Sequence, residues 1–134
     1  MNEAMKDVTW IGGSREQVRK FPKAVRRAVG EALRFAQRGA KHPKAKPMRG
    51  IGSGVWEIVA RYDTDTYRAV YTVNIGNKIY VLHAFQKKST RGIRTPKREI
   101  DLIKQRLTIA QQLGAPGMCL RIWDFLMPKP SEPC

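Results

Sequence analysis

The sequence predicts an α+β domain, and three observations predict it. Three runs rich in β-branched and aromatic residues follow one another between residues 54 and 85, separated by turn residues. Apolar residues recur at helical spacing both before and after those runs. A chain of 134 residues with 42% hydrophobic content can bury one real core.

The elements follow in order. Val8–Ile11 is a short strand, ended by Gly12-Gly13. Ser14 reads as an N-cap with Gln17 at the capping-box position, opening a short helix to about Phe21. Pro22 suits the first turn of a second helix, in which Val25, Ala28, Val29, Ala32, Leu33 and Ala36 form one apolar stripe. Lys23, Arg26, Arg27, Arg34 and Arg38 take its other face, either as a solvated surface or as a phosphate-facing one. Gly39 is its stop. Lys41–Gly54 holds two prolines and three glycines and reads as a loop. Its GIGSG run lacks the preceding strand and following helix of a phosphate-binding motif.

Val55–Tyr62 is the next strand. Asp63-Thr64-Asp65-Thr66 is a turn, and its two aspartates are read as turn formers rather than as acid–base or metal groups. Tyr67–Ile75 and Lys78–Phe85 flank Gly76-Asn77, a two-residue turn that closes a β-hairpin. An unbroken register from that turn opposes Val73 to Tyr80, Tyr71 to Leu82 and Ala69 to Ala84 on one apolar face. The other face then carries Arg68 opposite Phe85, Val70 opposite His83 and Thr72 opposite Val81, with Lys87 beyond. This second face is expected to be open, and it is where function is sought. After Phe85 the composition shifts: Lys87 to Arg106 holds eight Lys/Arg and two acids. Thr95-Pro96 opens a last helix with Ile100, Ile103, Leu107 and Ala110 as its buried stripe, ended by Gly114. The domain is expected to span residues 1–114. Residues 115–134 form a tail of undecided structure.

Twenty-six Lys/Arg against eleven Asp/Glu give a net charge of +15. Such a field attracts polyanions: nucleic acid, ribosome, anionic membrane or an acidic protein. Two cysteines, at 119 and 134, make neither a metal spacing nor a disulfide framework. No signal peptide opens the chain and no apolar run approaches a membrane span, so a cytoplasmic protein is expected.

The segments TYRAVYTV, YVLHAFQKKS and TPKREIDLIKQRL resemble the phage-related HigB branch of the RelE-type toxins of type II toxin–antitoxin systems. The likeness covers roughly residues 7–112. It implies a RelE-like fold: a curved antiparallel sheet, two N-terminal helices on one face and a helix after the central strands. It implies a ribosome-dependent mRNA endonuclease, cytoplasmic, free of cofactors, and silenced by a cognate antitoxin of helix-turn-helix type. By the motif positions, the strand arginine is Arg68 and the basic pair is Lys87 and Lys88. Some RelE-type toxins carry a catalytic Tyr or His near the C-terminus. Here nothing after Pro96 is Tyr or His, which leaves the general base open.

RNA can be cut without a metal when its own 2′-OH attacks the adjacent phosphate. Cations are then needed to hold charge on the phosphate oxygens. Arg68, Lys87 and Lys88 suit that role. His83 is a candidate base or a half-buried strand histidine, and a lysine of depressed pKa is the alternative. Phe85 could stack a base or belong to the core. Arg91, Arg94, Lys97, Arg98, Lys46 and Arg49 read as RNA contacts. No His/Cys/Asp/Glu set has metal-ligand spacing, so no metal is expected. The alternatives are a non-catalytic basic RNA/DNA-binding module and a subunit whose basic face receives an antitoxin.

Overall fold

The described residues form eight elements: β1 (Asp7–Trp10), α1 (Ser14–Arg19), α2 (Lys23–Gln37), β2 (Ala45–Pro47), β3 (Val55–Tyr62), β4 (Asp65–Ile75), β5 (Lys78–Lys87) and α3 (Lys97–Gly114). The structure is a computed structural model and describes residues 6–52, 54–87 and 95–114. The strands form one open sheet in the order β1-β5-β4-β3-β2. The sheet is mixed and not wholly antiparallel, because the edge strand β1 runs parallel to β5. A second departure is β2, three residues inside the stretch expected to be a loop, which pairs antiparallel with β3.

Helices cover both faces. The stripe of α2 is buried as its spacing demands, with Val25, Val29, Ala32, Leu33 and Ala36 packed against Ile58, Ala60, Tyr67, Ala69 and Tyr71. On the opposite face Ile103, Leu107 and Ala110 of α3 pack on Val55, Val70, Tyr80 and Leu82. The expected caps differ in detail. Gly13 precedes α1, and Ser14 instead donates its hydroxyl to the Val81 carbonyl at 3.1 Å. Pro96, not Thr95, immediately precedes α3, and its carbonyl accepts from Glu99 N–H at 3.0 Å.

The hairpin turn is as expected: Ile75 pairs with Lys78, and Gly76 takes φ +59°, a conformation that suits glycine. The register beyond it is not. Ala69 opposes Ala84 and Val70 opposes His83, but Tyr71 opposes Val81 and Thr72 opposes Tyr80. Leu82 is thus an extra residue on β5, a bulge. A compensating irregularity lies between Thr72 and Ile75. The bulge flips the side-chain alternation of β5, so Ile79 and Val81 join the α1/α2 core while Tyr80 and Leu82 join the core beneath α3. The expected pairs Val73–Tyr80, Tyr71–Leu82 and Thr72–Val81 are therefore replaced. The expected open face is instead floored and covered.

Candidate functional site

The face beneath α3 carries the chemistry-bearing residues of the central strands. Arg68 on β4 opposes Phe85 on β5, and Val70 opposes His83. Across the other side of β4, Val70 opposes Glu57 of β3, and Glu57 opposes Lys46 of β2. One row therefore reads Lys46, Glu57, Val70, His83, with Arg68 and Phe85 one step along. This row follows from period-2 alternation, and the bulge adds Leu82 to the side on which His83 already stands.

Arg68 was expected on an open face, and it is buried, at 6% exposure. Its Nη1 donates to Glu57 Oε1 at 2.8 Å, with both side chains under one-tenth exposed. Lys46 Nζ lies 4.0 Å from the other carboxylate oxygen and is more than half exposed. The physical reason is plain: a guanidinium drawn beneath a covered sheet face needs a counter-charge, and Glu57 supplies it.

His83 is buried too, and stacks on Phe85 with centroids 5.3 Å apart. Its Nε2 lies 2.5 Å from Glu99 Oε1 in the first turn of α3. Its Nδ1 lies 3.4 Å from Arg106 Nη1, which donates at 2.9 Å to the carbonyl of the bulged Leu82. Burial lowers the His83 pKa below the ordinary imidazole value. Hydrogen bonding and charge from Glu99 oppose that shift, and Arg106 adds to it. Gly12 makes room for this arrangement: at φ +60° it has no side chain, and a Cβ there would lie 2.7 Å from Arg106 Cζ.

The remaining predicted residues fall as follows. Lys87 is half-buried at the end of β5 and opposes Thr66, which in turn opposes Arg61 of β3. Lys46, Arg49, Lys97 and Arg98 are exposed. Lys97 pairs with Asp101 at 3.0 Å on the outer surface of α3, and Arg98 Nε lies 3.9 Å from Glu99 Oε2. Lys88, Arg91 and Arg94 lie outside the described residues. Arg68, His83, Phe85, Lys46 and Lys87 thus share one sheet face. Among the described residues no group of three His, Cys, Asp or Glu is placed to hold a metal ion. None of the described helices is long and apolar enough to cross a membrane.

Sequence reasoning missed Glu57, Glu99 and Arg106. A signal existed for each. Glu57 alternates with Val55 and Val59 on a strand that is otherwise apolar at those positions. Glu99 and Arg106 lie four before and three after Ile103, in line with the apolar stripe of α3. A charged residue on a buried stripe demands a partner.

The family model described as Phage derived protein Gp49-like (DUF891) matches residues 16–108. That range begins in α1, ends in α3 and contains the whole candidate site. No curated protein matches the chain.

Proposed function

The chain belongs to the phage-derived Gp49-like family, a RelE/toxin-like family, and from that premise we propose that it is the toxin of a type II toxin–antitoxin system. In this reading it is a ribosome-dependent mRNA endonuclease. The supporting observation is the distribution of cations around the covered sheet face. Lys46 is exposed and Lys87 half-buried on the strand face of His83 and Phe85, and Lys97 and Arg98 are exposed in the first turn of α3, in a chain of net charge +15.

The reaction is attack of the substrate's 2′-OH on the adjacent phosphate. Phosphate oxygens gain negative charge in the transition state, and cations held in place lower its energy most. Lys87, with Lys88 next to it in sequence, takes that role. Arg68 is compensated by Glu57, so its part is to fix the strand face on which Lys87 and Phe85 stand. Phe85 is buried at 6% exposure with its ring on His83, so it floors the site rather than stacking a base, and Lys46, Arg49, Arg91, Arg94, Lys97 and Arg98 hold backbone phosphates. No cofactor or metal enters the mechanism. The partners are the ribosome with its mRNA and a cognate antitoxin, of helix-turn-helix type, that silences the cationic face in the resting cell.

One observation favours a second reading, a non-catalytic RNA- or DNA-binding module: both ring nitrogens of His83 are engaged within the protein. A single experiment separates the two. Ribosomes are programmed with an mRNA carrying one 2′-deoxynucleotide immediately 5′ of the cleavage position, alongside the all-ribose control, in EDTA. Cleavage of the control alone, with a 2′,3′-cyclic phosphate end, supports the endonuclease. Cleavage of both refutes 2′-OH attack, and cleavage of neither favours the binding module.

A further inference from the structure

We propose that Glu99 is the general base of this cleavage and that His83 and Arg106 are positioning residues that aim it. The inference rests on the endonuclease reading above.

Donor and acceptor capacity fixes the roles of the two ring nitrogens. An arginine guanidinium only donates, so the ring nitrogen facing Arg106 must accept. His83 Nδ1 therefore carries the lone pair and Nε2 carries the proton. That proton is directed at Glu99 Oε1, 2.5 Å away. In this arrangement His83 has no lone pair to offer a substrate. What it does is grip one oxygen of a carboxylate, as a second residue orients a catalytic base in other active sites.

Accessibility points the same way. The His83 side chain is 8% exposed and that of Glu99 is 19%. Glu99 Oε2, the oxygen not held by His83, lies 3.9 Å from Nε of Arg98, whose side chain is 87% exposed. A proton acceptor and a phosphate-seeking cation thus stand next to each other on adjacent residues. The groups facing Glu99 are His83 from β5 and Arg98 on its own helix, with Arg106 behind His83. The positioning side is firmly built. Arg106 donates to the carbonyl of the bulged Leu82, and its guanidinium lies against Gly12, where a Cβ would come within 2.7 Å of Cζ.

The Glu99 carboxylate takes the proton of the 2′-OH as the 2′-oxygen bonds to phosphorus. The bond from phosphorus to the 5′-oxygen breaks, and that oxygen takes a proton from solvent. The products are a 2′,3′-cyclic phosphate and a 5′-hydroxyl, and Glu99 returns its proton to water.

The test uses the full chain on programmed ribosomes, comparing wild type, Glu99→Gln, Glu99→Asp and His83→Gln across pH. The amide of Glu99→Gln still accepts from His83, so its fold is checked by thermal unfolding. Its kcat should fall about 10²–10⁴-fold, the usual contribution of a general base, with RNA affinity unchanged. The acidic limb of the pH–rate profile should vanish. Glu99→Asp should keep that limb at a lower kcat, and His83→Gln should keep it with a smaller loss than Glu99→Gln. Wild-type kcat and pH profile in Glu99→Gln overturn the assignment while leaving the endonuclease reading intact. If Glu99→Gln does not fold, an unchanged kcat in Glu99→Asp overturns it instead. Absence of cleavage by wild type overturns the endonuclease reading, and this inference with it.

Discussion

Arg68→Ala should destabilise the fold, because it strands Glu57. In the native protein the two groups meet at 2.8 Å with side chains 7% and 9% exposed. Removing one partner of such a buried pair leaves an uncompensated charge, at about 3–5 kcal/mol. Lys46, 4.0 Å from Glu57 and 59% exposed, can screen part of that charge. An exposed cation contributes at most about 1 kcal/mol to a pair, so the expectation sits near the low end, about 3 kcal/mol. With m near 1–3 kcal/mol/M in urea, the midpoint should drop by on the order of 1–3 M. The assay is urea unfolding followed by circular dichroism, with m compared between variants. Arg68→Met combined with Glu57→Leu supplies the control: removing both charges should recover most of the loss. A stability for Arg68→Ala within about 0.5 kcal/mol of wild type would refute the pairing argument, since that is the range of an ordinary surface substitution. The consequence for function is direct. Loss of activity in Arg68→Ala alone would not distinguish chemistry from unfolding, and the double variant does.

Leu82→Ala removes a side chain with no exposure from the bulge beneath α3, and chemical denaturation should show a loss of about 2–5 kcal/mol. The His83 pKa is lowered in the folded state, so the unfolded chain binds more protons once pH falls below its unfolded value of 6.5. That contribution to stability is therefore complete above pH 6.5 and is lost as pH falls, and melting curves of wild type against His83→Gln should converge on that side. Binding of single-stranded RNA should weaken with salt. About four neutralised phosphates give a log–log slope of roughly −3, and Lys87→Ala should remove about 0.7 of it; a flat response would take the basic face out of nucleic-acid binding.

Much of this architecture was legible because periodicity is a strong signal. The stripes of α2 and α3 appear at the positions that helical spacing names, and Gly76-Asn77 closes the hairpin with Ile75 opposite Lys78. The bulge was not legible, for a physical reason. From Ile79 to Phe85 nearly every residue is apolar or aromatic, because both sheet faces are buried, and alternation cannot mark a slip in a strand without a polar side. A register extrapolated from the turn therefore put Leu82 and Tyr80 on the wrong face, whereas Arg68 and His83 kept their expected partners on a face that α3 packs against. The strand β2 was invisible because Ala45, Lys46 and Pro47 have little β-propensity, and pairing with β3 alone defines it.

The buried acids explain how a chain this basic can keep cations inside a sheet and still present a field outside. Glu57 compensates Arg68, and Glu99 sits against His83 near Arg106, so the charges beneath α3 are balanced locally. The excess positive charge is left to side chains that reach solvent, such as Lys46, Arg49, Lys97 and Arg98. In the proposed reading, stability and polyanion affinity are then carried by different residues. Substitutions at Glu57 or Arg68 act on the core through desolvated charge, where magnitudes are large and salt has little effect. Substitutions at the outer cations act on long-range attraction, where each is small and salt-dependent. In the proposed reading, an antitoxin that neutralises the outer set silences the surface without disturbing the balanced pair beneath it.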